Sequence, residues 1–261
     1  MQAIQCTLED ELSAFVTGFF LHDDAELEAV FCDRYLSSGG VKFELFQKLF
    51  HALQASSKHG LIFASDKVAV IDFFYPDSVR TRYVAGKTPI TIKKTRFGKL
   101  KLVCLQRSNL DITIHLKNER PLSKSPTTPA LFVRLQEIWK FIYKDSFEFT
   151  LKKVVSGKDK IDACKQPPVY EIEIEMIKGS VNTNITHCVK SFLKKIEDVC
   201  GRYDSNNNLI NLNIAPATRV SSDLRLAQKK LLAARKRKEQ RKRKKAESEE
   251  NTKKKRYKED I

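Results

Sequence analysis

The stretch Val169-Tyr-Glu-Ile-Glu-Ile-Glu-Met176 alternates between acidic and apolar residues. A β-strand turns successive side chains to opposite faces. Glu171, Glu173 and Glu175 therefore share one face, with Tyr170, Ile172, Ile174 and Met176 on the other. Three neighbouring carboxylates repel one another, and glutamate is a poor strand former. One explanation is a sheet with one face in water. The other is a polar interior in which the acids meet cations. A second acidic strand lies far upstream, where Glu26 and Glu28 alternate with Leu27, Ala29 and Phe31 between Ala25 and Cys32. If both strands face one cavity, five carboxylates converge. Such a cluster is costly unless divalent cations, lysines or arginines neutralise it. Ligands that offer only oxygen select Mg²⁺ or Mn²⁺ over zinc.

Between the two acidic strands the hydrophobic period is two from about Ile62 to Lys117. The runs Val68 to Tyr75, Val79 to Val84, Ile90 to Arg96, Leu100 to Gln106 and Leu110 to Lys117 read as strands. Turn material at Pro76-Asp77-Ser78, Gly86-Lys87, Phe97-Gly98 and Arg107-Ser108-Asn109 separates them. Spacing this short suits antiparallel neighbours, because parallel strands need crossovers of about a dozen residues or more. These and later strands bring the cations Arg80, Arg82, Lys93, Lys94, Arg96 and Lys152. Phe132 to Tyr143 fits a helix and a strand equally, and Ser146 to Val155 reads as a strand. Helical spacing marks Leu8 to Leu21, with Thr7 and Asp10 resembling a capping box, and Val41 to Gln54, with a Phe43, Phe46, Phe50, Leu53 stripe. Asn182 or Asn184 caps a last helix that runs to Val199. Many short strands with helices at the ends make an α+β domain built around a barrel or tunnel.

The net charge of +16 is unevenly placed. Residues 219–261 hold eighteen Lys and Arg against seven Asp and Glu, which leaves only +5 for the remainder. That basic tail has too little apolar surface to offset the entropy of ordering, so disorder or a solvated helix is expected. With 41% apolar residues, the rest of the chain has enough for a packed core. Six cysteines without a CxxC pair read as reduced thiols rather than a zinc site. Neither a membrane-length apolar run nor a signal-peptide order of residues is found, so a soluble intracellular protein is expected. A GxxxxGK[ST] phosphate loop, a CxxxxxR phosphatase signature and a Ser/His/Asp pattern are all missing, which makes water the expected nucleophile. His115 on its strand reads as structural.

From Leu8 to Val199 the order of motifs resembles the metal-dependent RNA 5′-triphosphatases of fungi, protozoa and large DNA viruses, within the triphosphate tunnel metalloenzymes. The matching stretches are the first ExE at Glu26-Leu-Glu28 and a Gly-containing turn with a helix at Gly39 to Leu53. Val79-Arg80-Thr-Arg82, Ile92-Lys93-Lys94 and Asp111-Ile-Thr-Ile-His-Leu-Lys-Asn-Glu119 follow. Glu148-Phe-Thr150 and the closing Glu171, Glu173, Glu175 complete the series. The resemblance implies an eight-stranded antiparallel tunnel over residues 1–203, a linker at 204–218 and the basic tail at 219–261. It implies that Glu26, Glu28 and Glu175 hold Mg²⁺ or Mn²⁺. It also implies that Glu119 and Glu173 position water, and that Arg80 and Lys93 contact the transferred phosphate. Arg82, Lys94, Arg134 and Lys152 are further phosphate-binding candidates, and Glu171 is a further tunnel acid.

Two departures stand out: Thr113 takes the place of a usual arginine, and Phe132 to Phe141 carries only Arg134 and Lys140 where the family has an RxKxR-like strand. The expected reaction is removal of the γ-phosphate from triphosphate-ended RNA, the first step of mRNA capping. A KxDG motif is missing, so a separate guanylyltransferase or capping complex is the expected partner. Branches that act on free nucleoside or inorganic triphosphates usually open with ExExK, and here Val30 follows in place of the lysine. The rival from another class is a nucleic-acid-binding protein resting on Arg235-Lys-Arg-Lys238 and Arg241-Lys-Arg-Lys-Lys245. The same clusters read as a nuclear-import signal, with a cytoplasmic viral factory or virion as the alternative location.

Overall fold

A computed structural model of the chain describes residues 8–104, 109–124, 126–178, 184–203 and 212–214. Helix α1 (Leu8–Leu21) leads into β1 (Ala25–Asp33), and α2 (Phe43–Lys58) follows. Next come β2 (Ile62–Ala64), β3 (Val68–Tyr75), β4 (Val79–Val84), β5 (Ile90–Cys104), β6 (Leu110–Pro121), β7 (Phe132–Tyr143) and β8 (Phe147–Gly157). The order ends with α3 (Lys160–Lys165), β9 (Val169–Met176), α4 (Ile185–Tyr203) and β10 (Leu212–Ile214). Antiparallel pairing runs β5-β4-β3-β7-β8-β9-β1-β6, and β6 pairs back onto β5, so eight strands close into a barrel. β2 joins β7 beside the barrel, and β10 pairs with the far end of β5.

Alternation along each strand sorts the chemistry. Ala29 and Phe31 of β1, Ile112 and Ile114 of β6, and Ile172 and Ile174 of β9 point outward and are fully buried under the helices. Phe15 and Phe19 of α1, Leu49 of α2, and Phe192 and Ile196 of α4 cover them in one apolar cluster. The hydrophobic core therefore lies outside the barrel wall, between sheet and helices. Each large side chain buried there contributes about 1.5–3 kcal/mol. The opposite faces of the same strands are left to line a polar interior.

Phe97-Gly98, expected as a turn, is instead a bulge inside a single long β5, where the register shifts between Arg96 and Gly98. The sequence changes its alternation phase at this point. Taking up one extra residue sends Leu100 and Leu102, both at 0% exposure, into the outer core and keeps Lys99 and Lys101 on the inner face. Phe132–Tyr143 resolves as a strand, because β3 and β8 pair with both of its edges and Trp139 and Phe141 pack against Phe50 of α2. Helix α3 was not expected, and its first turn is capped by Asp159 accepting the Asp162 N–H at 2.9 Å. Asn184 caps α4 by accepting the His187 N–H at 3.3 Å, while Asn182 lies outside the described residues. Thr7 and the 219–261 tail lie outside them too, and within the expected 204–218 linker Leu212–Ile214 forms β10.

Gly40 fixes how β1 meets its neighbour. Its φ is +76°, and a Cβ there would sit 2.4 Å from the Tyr170 carbonyl oxygen of β9. The next residue, Val41, donates its N–H to that same carbonyl at 2.7 Å. Only glycine permits both the left-handed backbone and this close approach. No described helix is long and apolar enough to cross a membrane, and Cys32, Cys164, Cys188 and Cys200 form no disulfide.

Candidate active site

The register places the two acidic strands side by side. Glu28 of β1 is paired with Glu175 of β9 on one side and with His115 of β6 on the other, while Glu26 is paired with Lys117. Across β8, Glu148 sits opposite Glu175 and Thr150 opposite Glu173. A cavity of about 170 Å³ inside the barrel is lined by Glu26, Glu28, Glu119, Glu173 and Glu175, together with Arg80, Arg82, Lys94 and Lys152. Nine of the residues singled out from the sequence therefore meet in one space. Its walls are almost wholly charged. A larger hollow of about 630 Å³ on the outer wall is mostly apolar and carries only Glu137 and Lys153 as charges, a poor match for a polyphosphate.

Three expected residues fall elsewhere. Lys93 is exposed on the outer face, because its β4 partner is Val79 and its β6 partner is Arg120. Lys94, the next residue, points inward opposite Glu119. The expected phosphate contact Lys93 is thus placed on the outer wall and Lys94 in the cavity: consecutive strand residues face opposite ways, and only the pairing decides which one enters. Arg134 and Glu171 share the inner face but pair with each other at 2.5 Å, away from the cavity lining.

The fold also brings in several residues to which the sequence assigned no role. Lys117 is buried, and its ammonium bonds to Glu28 and lies 3.2 Å from Glu26 and 3.9 Å from Glu119. Its signal was legible in the alternation of Asp111, Thr113, His115, Lys117 and Glu119. Asp72 of β3 is fully buried and accepts from Arg82 at 2.8 and 2.7 Å and from Gln136 at 2.6 Å. Lys140 and Glu148 pair at 2.6 Å, and the Thr150 hydroxyl donates to Glu148 at 3.0 Å.

The two departures are explained by geometry. Thr113 lies opposite Val30 and Lys101, toward the end where Lys101 and Arg34 bind Asp111 at 2.6 and 2.7 Å. On β7, Arg134 and Lys140 flank Gln136 and Ile138 along the inner row, so the middle of that strand carries no charge. Lys140 lines the cavity together with cations from β4, β5, β6 and β8.

These contacts set the charge states. Burial opposes ionisation of Glu173, but the Lys152 ammonium at 2.5 Å overcomes it and holds the carboxyl at about 2. Glu119 is likewise held below its ordinary value despite burial, by Arg80 at 3.1 Å and Lys94 at 3.1 Å. Glu175 behaves oppositely. Burial and the neighbouring Glu26 push it up to about 8, with Glu148 and Glu28 adding to the effect and Lys117 working against it. Burial also raises Glu26, partly offset by Lys117. His115 drops to about 4, through burial and the surrounding Arg96, Lys117 and Lys99, and is neutral at physiological pH.

Among the described residues no three acidic, histidine or cysteine side chains converge closely enough to hold a metal ion. The donor chemistry nevertheless suits a hard divalent cation, since Glu26, Glu28 and Glu175 offer only carboxylate oxygen and line one cavity.

No family model matches the sequence, and a search of curated proteins finds no match. Solved structures do resemble it. The RNA triphosphatase Pct1 of S. pombe matches with a TM-score of 0.62 at 17% identity, covering 78% of this chain and 96% of that one. The same enzyme in complex with the Spt5 CTD gives 0.60 at 17% identity, over 78% and 95%. The Mimivirus capping enzyme triphosphatase gives 0.54 at 15% identity, over 74% and 96%. The closed eight-stranded antiparallel barrel of this chain is the tunnel fold of these RNA triphosphatases.

Proposed function

We propose that the protein is a metal-dependent polynucleotide 5′-triphosphatase that removes the γ-phosphate of triphosphate-ended RNA and leaves a diphosphate end. The observation that carries this reading is the single barrel cavity in which an acidic group formed by Glu26, Glu28 and Glu175 adjoins Arg80, Lys94 and Lys152. Acids alone would repel a triphosphate and bases alone would only bind it. The two sets together suit the charge that develops in phosphoryl transfer. The likeness to RNA triphosphatases supports this choice over other anhydride hydrolases.

Glu26, Glu28 and Glu175 would hold Mg²⁺ or Mn²⁺, which would polarise a phosphoryl oxygen when bound. Arg80 and Lys94 now neutralise Glu119, and Lys152 neutralises Glu173. An arriving triphosphate competes for those cations and takes over part of each pair. The carboxylates so released, both ionised at neutral pH, orient a water molecule toward the γ-phosphorus. Arg82, fixed on Asp72, holds a second positive charge beside the β- and γ-phosphates.

In this reading the enzyme supplies diphosphate-ended RNA to a separate guanylyltransferase or capping complex. The 219–261 tail adds nonspecific affinity for RNA phosphates and an import signal for the nucleus. The test is phosphate release from γ-labelled triphosphate-ended RNA with Mg²⁺, with Mn²⁺ and with chelator. Metal-dependent release with a diphosphate product is expected. Activity confined to free nucleoside or inorganic triphosphates would assign a different substrate branch, and no release with any metal would refute the enzymatic reading.

A further inference from the structure

Building on that reading, we propose that Lys117 is a resident counter-ion of the acidic site, which a divalent cation must displace to load and which then serves as a positioning residue for phosphate. The geometry carries this. The Lys117 ammonium bonds to Glu28 and lies 3.2 Å from Glu26, inside the pair of carboxylates that opens the acidic strand β1. Its side chain is only 7% exposed, so the ammonium is held against the carboxylates largely out of bulk solvent. An ammonium and a divalent cation seek the same carboxylate oxygens, and both cannot occupy one place.

The stem of Lys117 rises from β6, on the same inner row as Glu119 two residues on. That carboxylate is already 3.9 Å from the ammonium, so a displaced Lys117 has a second acid within reach. Around Glu119 stand Arg80 at 3.1 Å and Lys94 at 3.1 Å, the cations assigned to the phosphates. Displacement therefore moves one positive charge from the metal ligands toward the phosphate-binding side. Metal entry and substrate charge would be coupled through a single side chain.

The test is Mn²⁺ binding in the absence of RNA, by calorimetry and by electron paramagnetic resonance, on the full chain and on Lys117→Met. Methionine keeps the unbranched stem, one heavy atom shorter, and removes the charge. Losing one positive charge a few ångströms from the metal is expected to tighten Mn²⁺ binding at least about tenfold. Equal or weaker affinity in the variant, with normal binding by the parent, overturns the counter-ion role and leaves the enzymatic reading standing. No Mn²⁺ binding by either protein overturns both. Should Lys117→Met not fold, the ¹³Cε resonance of Lys117 in the parent is followed during Mg²⁺ titration. A shift that saturates with the calorimetric isotherm is expected, and an unmoved resonance refutes displacement.

Discussion

Asp72 and Arg82 face each other across the β3–β4 ladder, and the guanidinium donates 2.8 and 2.7 Å hydrogen bonds to the two oxygens of the one carboxylate. Arg80 approaches that carboxylate at 3.5 Å and Gln136 at 2.6 Å. Asp72 is fully buried, so it is the anchor that orders both arginines on the cavity wall.

Removing that anchor leaves two crowded cations without their shared anion. Asp72→Ala is expected to lose about 3–5 kcal/mol of stability, the range for breaking a buried ion pair from one side. Urea denaturation measures it. Burial opposes the ionisation of Asp72, but Arg82 and Arg80 outweigh burial and hold its carboxyl below the ordinary 3.8. Its contribution is therefore present above that value and lost as the pH falls through the lower, folded value. A parental loss at the acid end that is missing in Asp72→Asn would confirm the assignment. An acid limb identical in the two proteins would place the titration elsewhere.

Glu175 gives the opposite dependence. Its carboxyl is raised from 4.5 to about 8 in the folded chain, by burial and by Glu26. The folded state then keeps a proton that the unfolded state has released. Stability in chelator should fall as the pH rises from about 4.5 to about 8, by at most about 1.4 kcal/mol per pH unit. Glu175→Gln should flatten that slope in thermal melts. A parent whose melting temperature does not change over this window would show that Glu175 titrates normally.

Lys93 and Lys94 separate the two faces of β5. Lys94→Ala should lower kcat/KM for triphosphate-ended RNA by about 10- to 100-fold, because it removes a charge that the proposed mechanism places beside the phosphates. Lys93→Ala, on the outer wall, should stay within about twofold. The reverse result would mean that β5 pairs one residue out of register.

In the proposed mechanism Glu26 helps to hold the metal, and losing one preorganised electrostatic group of an active site costs about 10²–10³ in turnover. Glu26→Ala should show at least that loss while keeping the parental circular dichroism. Full activity in this variant would exclude the acidic group from the chemistry.

Cutting the chain before Arg219 removes eighteen basic and seven acidic residues. Turnover on short RNA should persist, while RNA affinity and its dependence on salt both decline. If the truncated and full chains bind RNA equally, with the same salt slope, the tail has no part in retention.

Much of this site was legible before folding was considered. Glu171, Glu173 and Glu175 share a face because alternation is a property of the strand itself, and the same holds for Glu26 and Glu28. The Gly39-Gly40 break was legible for the same reason, and the α4 cap was narrowed to Asn182 or Asn184, since a cap and a left-handed turn are chosen by the residues at the spot. The helical stripe of α2 was only partly so. Phe46 and Leu53 are buried, but Phe43 is 43% exposed and Leu45 and Leu49 complete the packed face, because the position of the neighbouring sheet rotates the contact.

What the chain alone determined, then, is which residues form strands and which neighbours share a face. Only the closed barrel decided which face is the interior. It chose Lys94 over Lys93, turned the phase change at Phe97-Gly98 into a bulge, and seated Lys117 beside Glu28, 89 residues away in sequence. Alternation repeats every two residues and carries no information about absolute phase. Interstrand pairing supplies that phase, through hydrogen bonds between segments that local propensity treats as independent.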